Sequence, residues 1–474
     1  MIFRNSKPDS SFWLLTLSIL CLLIVPHIFQ IGMFLDGVTY AAISNNLSQG
    51  YGEIFRPHYT KTLYPIFYEH PPLVFIVQSV FFELLGDSYM TEKVFSFMTA
   101  ILTAWAIVKC WTLLSGDVHV ERAGWLPVLL WLSIPLVSWS YKNNILENSL
   151  SVFSTFAVFF ILKSILRKKY IYLIPGSCLI MMAFLSKGFV GLFPLAVPLV
   201  YWLVYGFSGR LVKTAIYLYL ISAFLLLTSL WSFPDLRLNL ENYIMQQVMP
   251  SLSGSREITT DSRFNIIFQL IPELVIPLIL GGLLLLLSNK QLKFSTFVYS
   301  RQFWLFLLIG LTASLPIMIS MKQRKFYLLP SLPFYALAIG YLTAPFLADL
   351  KNRLSNRVND WIKRLAIIVL ATTLLLSYIQ FGEYSRNKEQ MNDVLVLSDF
   401  LREGSVVGTT QENWENWSLV ANLCRFGYLS LEINNDHRYF LAKKDHIPEK
   451  IPPKYDPVKL ALVKYTLYEK KSEN

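Results

Sequence analysis

Charge is what this chain has least of: Asp, Glu, Lys and Arg make up 15% of its 474 residues, against about 25% in an ordinary soluble domain. Hydrophobic residues supply 54% and aromatics 15%, and the mean hydropathy is +0.45. A soluble fold of this length could not hide that much apolar surface. Cysteine is scarce as well, with four in all. Cys21, Cys110 and Cys178 sit inside apolar runs and Cys424 stands alone in the polar C-terminal part, which excludes a disulfide scaffold and suggests no thiolate metal site. Gly 21 and Pro 23 are ordinary numbers, so fibrous and disordered classes fall away, and no internal repeat or low-complexity tract is present. What remains is an all-α polytopic membrane protein.

Apolar stretches close to the ~20 residues that cross a bilayer recur down the chain. The pattern predicts eleven spans: 12–32, 93–114, 123–140, 146–165, 170–186, 189–206, 214–232, 266–287, 303–320, 326–346 and 365–381. Arg4 and Lys7 place the N-terminus in the cytoplasm. The segment 72–85 is a further candidate, but a crossing there would turn Arg167, Lys168 and Lys169 outward. It is therefore expected to be a juxtamembrane or re-entrant helix, covered by protein or lining a cavity. With that parity, most Lys and Arg of the membrane part face the cytoplasm and most acids face out. Residues 382–474 differ in character, with 13 basic and 14 acidic residues. Alternating runs such as DVLVLSDF and KLALVKYTLYE, spaced by Gly, Asn and Pro, predict a small α/β domain there, on the outer face. The expected domains are thus 1–381, the transmembrane part whose outer loop 33–92 carries site residues, and 382–474. The positive balance fits anionic lipid and gives no reason to invoke nucleic acid.

Several charges stand where a membrane protein seldom has them. Asp36 lies at the end of the first span, with Tyr40 four residues on and on the same face of a helix. It reads either as a proton-accepting carboxylate or as the N-cap of a helix Gly37–Leu47. Glu69 and His70 precede Pro71-Pro72, which fixes their direction, and they are the pair on which a divalent metal site would be built. Glu147 falls in the next outer loop, where alone it reads as a solvated acid. Lys187, and Lys322, Arg324 and Lys325 with Tyr327 beside them, lie between outer span ends against the positive-inside trend. Lysines snorkel to either interface; the alternative is that these meet an anion at the membrane surface, and a lipid phosphate is the obvious one. Arg56, in the first outer loop, is counted with them. Trp414 and Trp417 could stack on a sugar, but packing accounts for them more simply.

Carboxylates beside cations at the lipid–water boundary suit group transfer from a phosphate-linked lipid. The acceptor hydroxyl needs a base, the anomeric carbon passes through an oxocarbenium-like state, and the departing phosphate gains charge that preorganised cations stabilise. Asp36, Tyr40 and Glu147 are the candidate catalytic residues. Lys187, Lys322, Arg324, Lys325, Tyr327 and Arg56 are the candidate phosphate-binding residues.

The motifs D-G-x-x-Y at Asp36–Tyr40, E-H-P-P-L at Glu69–Leu73, N-I-L-E-N around Glu147, S-K-G-x-x-G at Ser186–Gly191 and K-x-R-K-F-Y-L-L-P at Lys322–Pro330 resemble those of the GT-C membrane glycosyltransferases, in the group of the protein O-mannosyltransferases and lipid A aminoarabinose transferases. The likeness covers about residues 12–346. It implies an inverting transferase that takes a sugar from a polyprenyl-phosphate donor on the outer face of a cytoplasmic membrane or in an equivalent lumen. It also implies that Asp36 is the catalytic carboxylate, that Glu69 belongs to a metal site, and that Lys187, Arg324 and Lys325 lie near the carrier phosphate. His70 departs from the Lys of the aminoarabinose branch, which weakens the case for that donor. The acceptor is left open as a lipid, a glycan or a protein. Two other readings remain: a flippase of lipid-linked saccharides, and a glycan polymerase or ligase with a diphosphate-linked donor. Intramembrane charges also mark transport paths, but no inverted repeat supports the flippase.

Overall fold

The computed structural model describes residues 9–116, 118–255, 258–288, 300–433, 436–444 and 454–471. The chain divides into two compact units. The first holds 1–26, 96–142 and 146–379, and the second 27–95, 143–145 and 380–474.

The first unit is helical. Across the described residues nine helical stretches are long and apolar enough to cross a membrane, against the eleven spans expected. The expected span 123–140 is instead two eight-residue helices, Trp125–Leu132 and Pro135–Lys142. Pro135 has no N–H and disfavours helical backbone in the residue before it, so it starts a new helix and cannot continue the old one. The expected spans 170–186 and 189–206 run together as one apolar stretch, Tyr170–Tyr205. Gly188, with φ +72°, interrupts that stretch. A Cβ on Gly191 would lie 2.4 Å from the Ala183 backbone, so the segment after the break folds back on the helix Leu173–Lys187. The two glycines of S-K-G-x-x-G are therefore needed by the turn itself.

The second unit begins with the helix Leu35–Ser48 and a short hairpin, β1 (Gly52–Glu53) and β2 (Arg56–Pro57). The segment 72–85 forms a helix of 13 residues, Leu73–Leu85, about 20 Å long and short of the ~30 Å hydrocarbon core. The C-terminal residues build a five-stranded sheet from β3 (Val406–Thr409), β4 (Ser430–Glu432), β5 (Tyr439–Lys443), β6 (Tyr455–Pro457) and β7 (Tyr465–Lys470). The strand order is β4-β3-β5-β7-β6. β3 is parallel to β4 and β5, and β7 is antiparallel to β5 and β6. Of the two alternating runs, KLALVKYTLYE supplies β7, but DVLVLSDF is the end of a helix, Lys388–Phe400. Asp393, Val394 and Leu397 turn inward there at helical spacing. The fully buried Asp393 carboxylate accepts the N–H groups of Val463, Lys464 and Tyr465 at 2.6–2.9 Å, which ties that helix to the start of β7. Cys424 lies in the core of the unit, where its thiol donates to the Tyr59 carbonyl and burial pushes its pKa up to about 12.

Candidate functional site

In the second unit the helix carrying Asp36 starts at Leu35, with Phe34 as its N-cap. Asp36 is therefore inside the first turn and does not cap a helix Gly37–Leu47. A carboxylate there is favoured by the helix dipole. No side chain caps the helix, but its start is tied to 143–144: the Phe34 N–H donates to the Asn143 side chain at 2.7 Å, and Asn144 Nδ2 donates to the Gly37 carbonyl at 3.4 Å. A Cβ on Gly37 would fall 1.9 Å from the Asn143 carbonyl oxygen. The glycine of D-G-x-x-Y thus makes room for the chain at Asn143, a pairing that the sequence reading missed. Gly37→Ala is expected to cost about 1–3 kcal/mol through this overlap, and to displace Asn143 from the Phe34 N–H. A thermal transition equal to the wild type's would contradict it.

One turn beyond Asp36, Tyr40 is buried and its hydroxyl meets His70 Nε2 at 3.1 Å. Its ring packs against Phe75. Tyr64 donates to Glu69 Oε1 at 3.3 Å. Among the described residues no group of three His, Cys, Asp or Glu side chains is gathered. Glu69 and His70 thus make a pair, short of the three or four ligands of a zinc-type site. Arg56, expected among the phosphate-binding cations, belongs to this unit and lies 3.7 Å from Glu53 across the β1–β2 hairpin.

The first unit gathers the other candidates. Glu147 is not in a loop: it occupies the first turn of the helix Leu146–Arg167, with its side chain 1% exposed. Lys187 ends the neighbouring helix Leu173–Lys187, and its ammonium pairs with Glu147. Acid at a helix start and base at a helix end both complement the dipoles, and pairing lets these charges stay buried. Lys187 Nζ also lies 4.8 Å from the Tyr327 ring centroid and 5.4 Å from that of Phe326, in cation–π range. Both rings belong to the 3₁₀ turn Lys325–Ser331.

That turn is anchored by residues the sequence reading passed over. Gln323, the x of K-x-R-K, is buried. Its Nε2 donates to the Arg263 and Ser320 carbonyls at 2.9 and 3.0 Å, and its Oε1 accepts from the Ile266 N–H at 2.8 Å. Lys322 and Arg324 flank it, half-buried and exposed respectively. Lys325 pairs with Glu273, in the apolar helix Asn265–Leu287. An acid within a span, between Pro272 and Pro277, was the available signal for it.

Over residues 69–232 the chain matches the family described as Dolichyl-phosphate-mannose-protein mannosyltransferase. Among the curated proteins none matches it in sequence. Its structure is similar to that of ArnT from Cupriavidus metallidurans bound to undecaprenyl phosphate, with a TM-score of 0.64, 14% identity, and 97% of this chain and 98% of that one covered. The apo state of the same protein gives 0.62, 14% identity, and 94% and 95% covered. The chain has the GT-C fold. Within the GT-C fold the five motifs are more than sequence marks: two of their glycines meet backbone directly, and Glu147, Lys187, Lys325 and Tyr327 are held together in one unit.

Proposed function

We propose that this multi-pass membrane protein is an inverting glycosyltransferase that takes a sugar from a polyprenyl-phosphate donor. The observation that carries the reading is the cationic turn Lys322–Tyr327 with Lys187 over its aromatic rings. Cations and rings held by buried anchors suit a phosphate that becomes more negative as it leaves. The end-to-end likeness to a structure with undecaprenyl phosphate bound supports a polyprenyl-phosphate carrier.

The acceptor oxygen attacks the anomeric carbon while the bond from that carbon to the phosphate oxygen breaks, and configuration inverts. When the acceptor is a hydroxyl its proton passes to the Asp36 carboxylate (an ionised phosphate has none to lose), and polyprenyl phosphate departs with the bonding electron pair. Tyr40 and His70 are bonded to each other and keep the face of the Asp36 helix in place. Glu147 holds Lys187. Arg324, Lys322 and Lys325 bind the phosphate, with Tyr327 against it. The acceptor is a hydroxyl or phosphate of a cell-envelope lipid, glycan or protein. The Lys and Arg asymmetry of the loops supports a site on the outer face of the cytoplasmic membrane.

The test is the purified chain in proteoliposomes with a panel of undecaprenyl-phosphate sugars and envelope acceptors, read by mass spectrometry. One pairing should yield a product heavier by a single glycosyl residue. Arg324→Ala, a change at an exposed residue, should weaken donor binding about 10–100-fold, the weight of a charge-assisted hydrogen bond, with the thermal transition read in parallel. Movement of lipid-linked sugar across the bilayer without a covalent product would remove the reading.

A further inference from the structure

The helix Asn265–Leu287 is mostly exposed and apolar, with a narrow inward stripe of Ile266, Leu270, Glu273, Pro277 and Gly281. Four of the five are the small or apolar residues such a stripe calls for. The fifth is a carboxylate with 2% exposure, and an acid inside a membrane helix is expensive unless it is paired. Glu273 is paired at both oxygens. Oε1 takes the Lys325 ammonium, and Oε2 accepts the Leu136 N–H at 2.7 Å. Leu136 is in the first turn of the helix Pro135–Lys142, where an N–H has no partner within its own helix.

The two bonds act on one aromatic stack. Trp139, one turn along from Leu136, stacks on Phe326, the residue after Lys325, with centroids 5.9 Å apart and planes at 21°. Lys187 rests over Phe326 and Tyr327. Glu273 therefore tethers both faces of the stack, the helix behind Trp139 and the turn carrying Phe326. Pro277 has no N–H to offer the residue 273 carbonyl, so the helix is locally freed at this point. Lys325 is half-exposed, and an ammonium has three donors, of which Glu273 takes one.

We propose that Glu273 is a positioning residue for the cationic turn: it fixes the Lys325 ammonium and the Phe326–Tyr327 rings so that the turn meets an anionic lipid phosphate preorganised. This rests on the reading that the turn grips the carrier phosphate. Preorganisation counts because an untethered lysine has rotamer freedom to lose on binding.

The test is binding of undecaprenyl phosphate to the full chain in nanodiscs, with thermal unfolding read in parallel. Glu273→Gln keeps the size and the acceptor for Leu136 but removes the charge. It should weaken binding about tenfold, which is ~1.4 kcal/mol. In a Lys325→Met background the same change should alter affinity less than twofold, because Glu273 acts through Lys325. Wild-type affinity in Glu273→Gln, tighter binding, or the same loss in both backgrounds would each overturn the proposal. Undiminished binding in Arg324→Ala and Lys325→Met together would instead overturn the phosphate reading, and this inference with it.

Discussion

Asp36→Asn is expected to lower turnover about 10²–10⁴-fold, the span over which a positioned general base contributes, while binding of undecaprenyl phosphate stays unchanged. Asn is nearly the same size and cannot accept the acceptor proton at neutral pH. The bonds from Asn143 and Asn144 to the start of the helix do not involve the Asp36 side chain and stay in place, and an unchanged thermal transition checks that the fold is kept. The lost interaction with the helix dipole is worth about 0.3–1 kcal/mol, too little to unfold the unit. Turnover within a few-fold of wild type would take the role of base from Asp36. Loss of carrier binding together with turnover would mean that the carboxylate holds the donor and does not receive the proton.

The largest expected effect on stability comes from Arg425. It lies in the helix Trp417–Gly427, 2% exposed, with the guanidinium donating to Asp87 at 2.6 Å, and to Glu92 and the Ser88 carbonyl at 3.0 Å. It also lies over the Phe82 and Phe426 rings, 4.9 and 5.3 Å from their centroids. Glu92 is as deeply buried. Arg425→Met fills much of the volume but takes the guanidinium from the buried Glu92 carboxylate, leaving it only the neighbouring Lys93 charge, and breaking a buried pair in this way costs about 3–5 kcal/mol. Replacing Glu92 by Met in the same chain should recover a large part of that loss, since an apolar pair of similar volume is often as stable as the ions it replaces. The check is the urea or thermal transition of the detergent-solubilised protein. A shift equivalent to less than about 1 kcal/mol in Arg425→Met, the range of a surface ion pair, would show that the buried network is not what joins the helix Trp417–Gly427 to the segment Asp87–Glu92.

Much of the first unit was legible because burial in lipid writes itself into composition. A helix that crosses must be apolar for its whole length, so the runs 93–114, 146–165, 214–232 and 266–287 reappear with ends moved by only a few residues. The reading failed where a break is local. Pro135 and Gly188 divide or redirect apolar runs without changing hydropathy, so a count of apolar stretches did not reproduce the helices. DVLVLSDF alternates like a strand yet is helical, because three inward residues at helical spacing also satisfy part of a strand pattern over eight residues.

At the site, the sequence by itself determined which residues carry charge and that those charges stand near the ends of apolar segments. Only the tertiary structure decided their partners. Lys187 was legible as a cation but not as the counter-ion of Glu147, 40 residues away. Lys325 was legible, and Glu273, Gln323 and Asn143 were not assigned, because an acid, an amide and an asparagine have no fixed meaning until a donor stands beside them. The reason is desolvation. A buried charge or amide is tolerable only with a partner at hydrogen-bond distance, and that partner comes from whichever helix end the packing brings there.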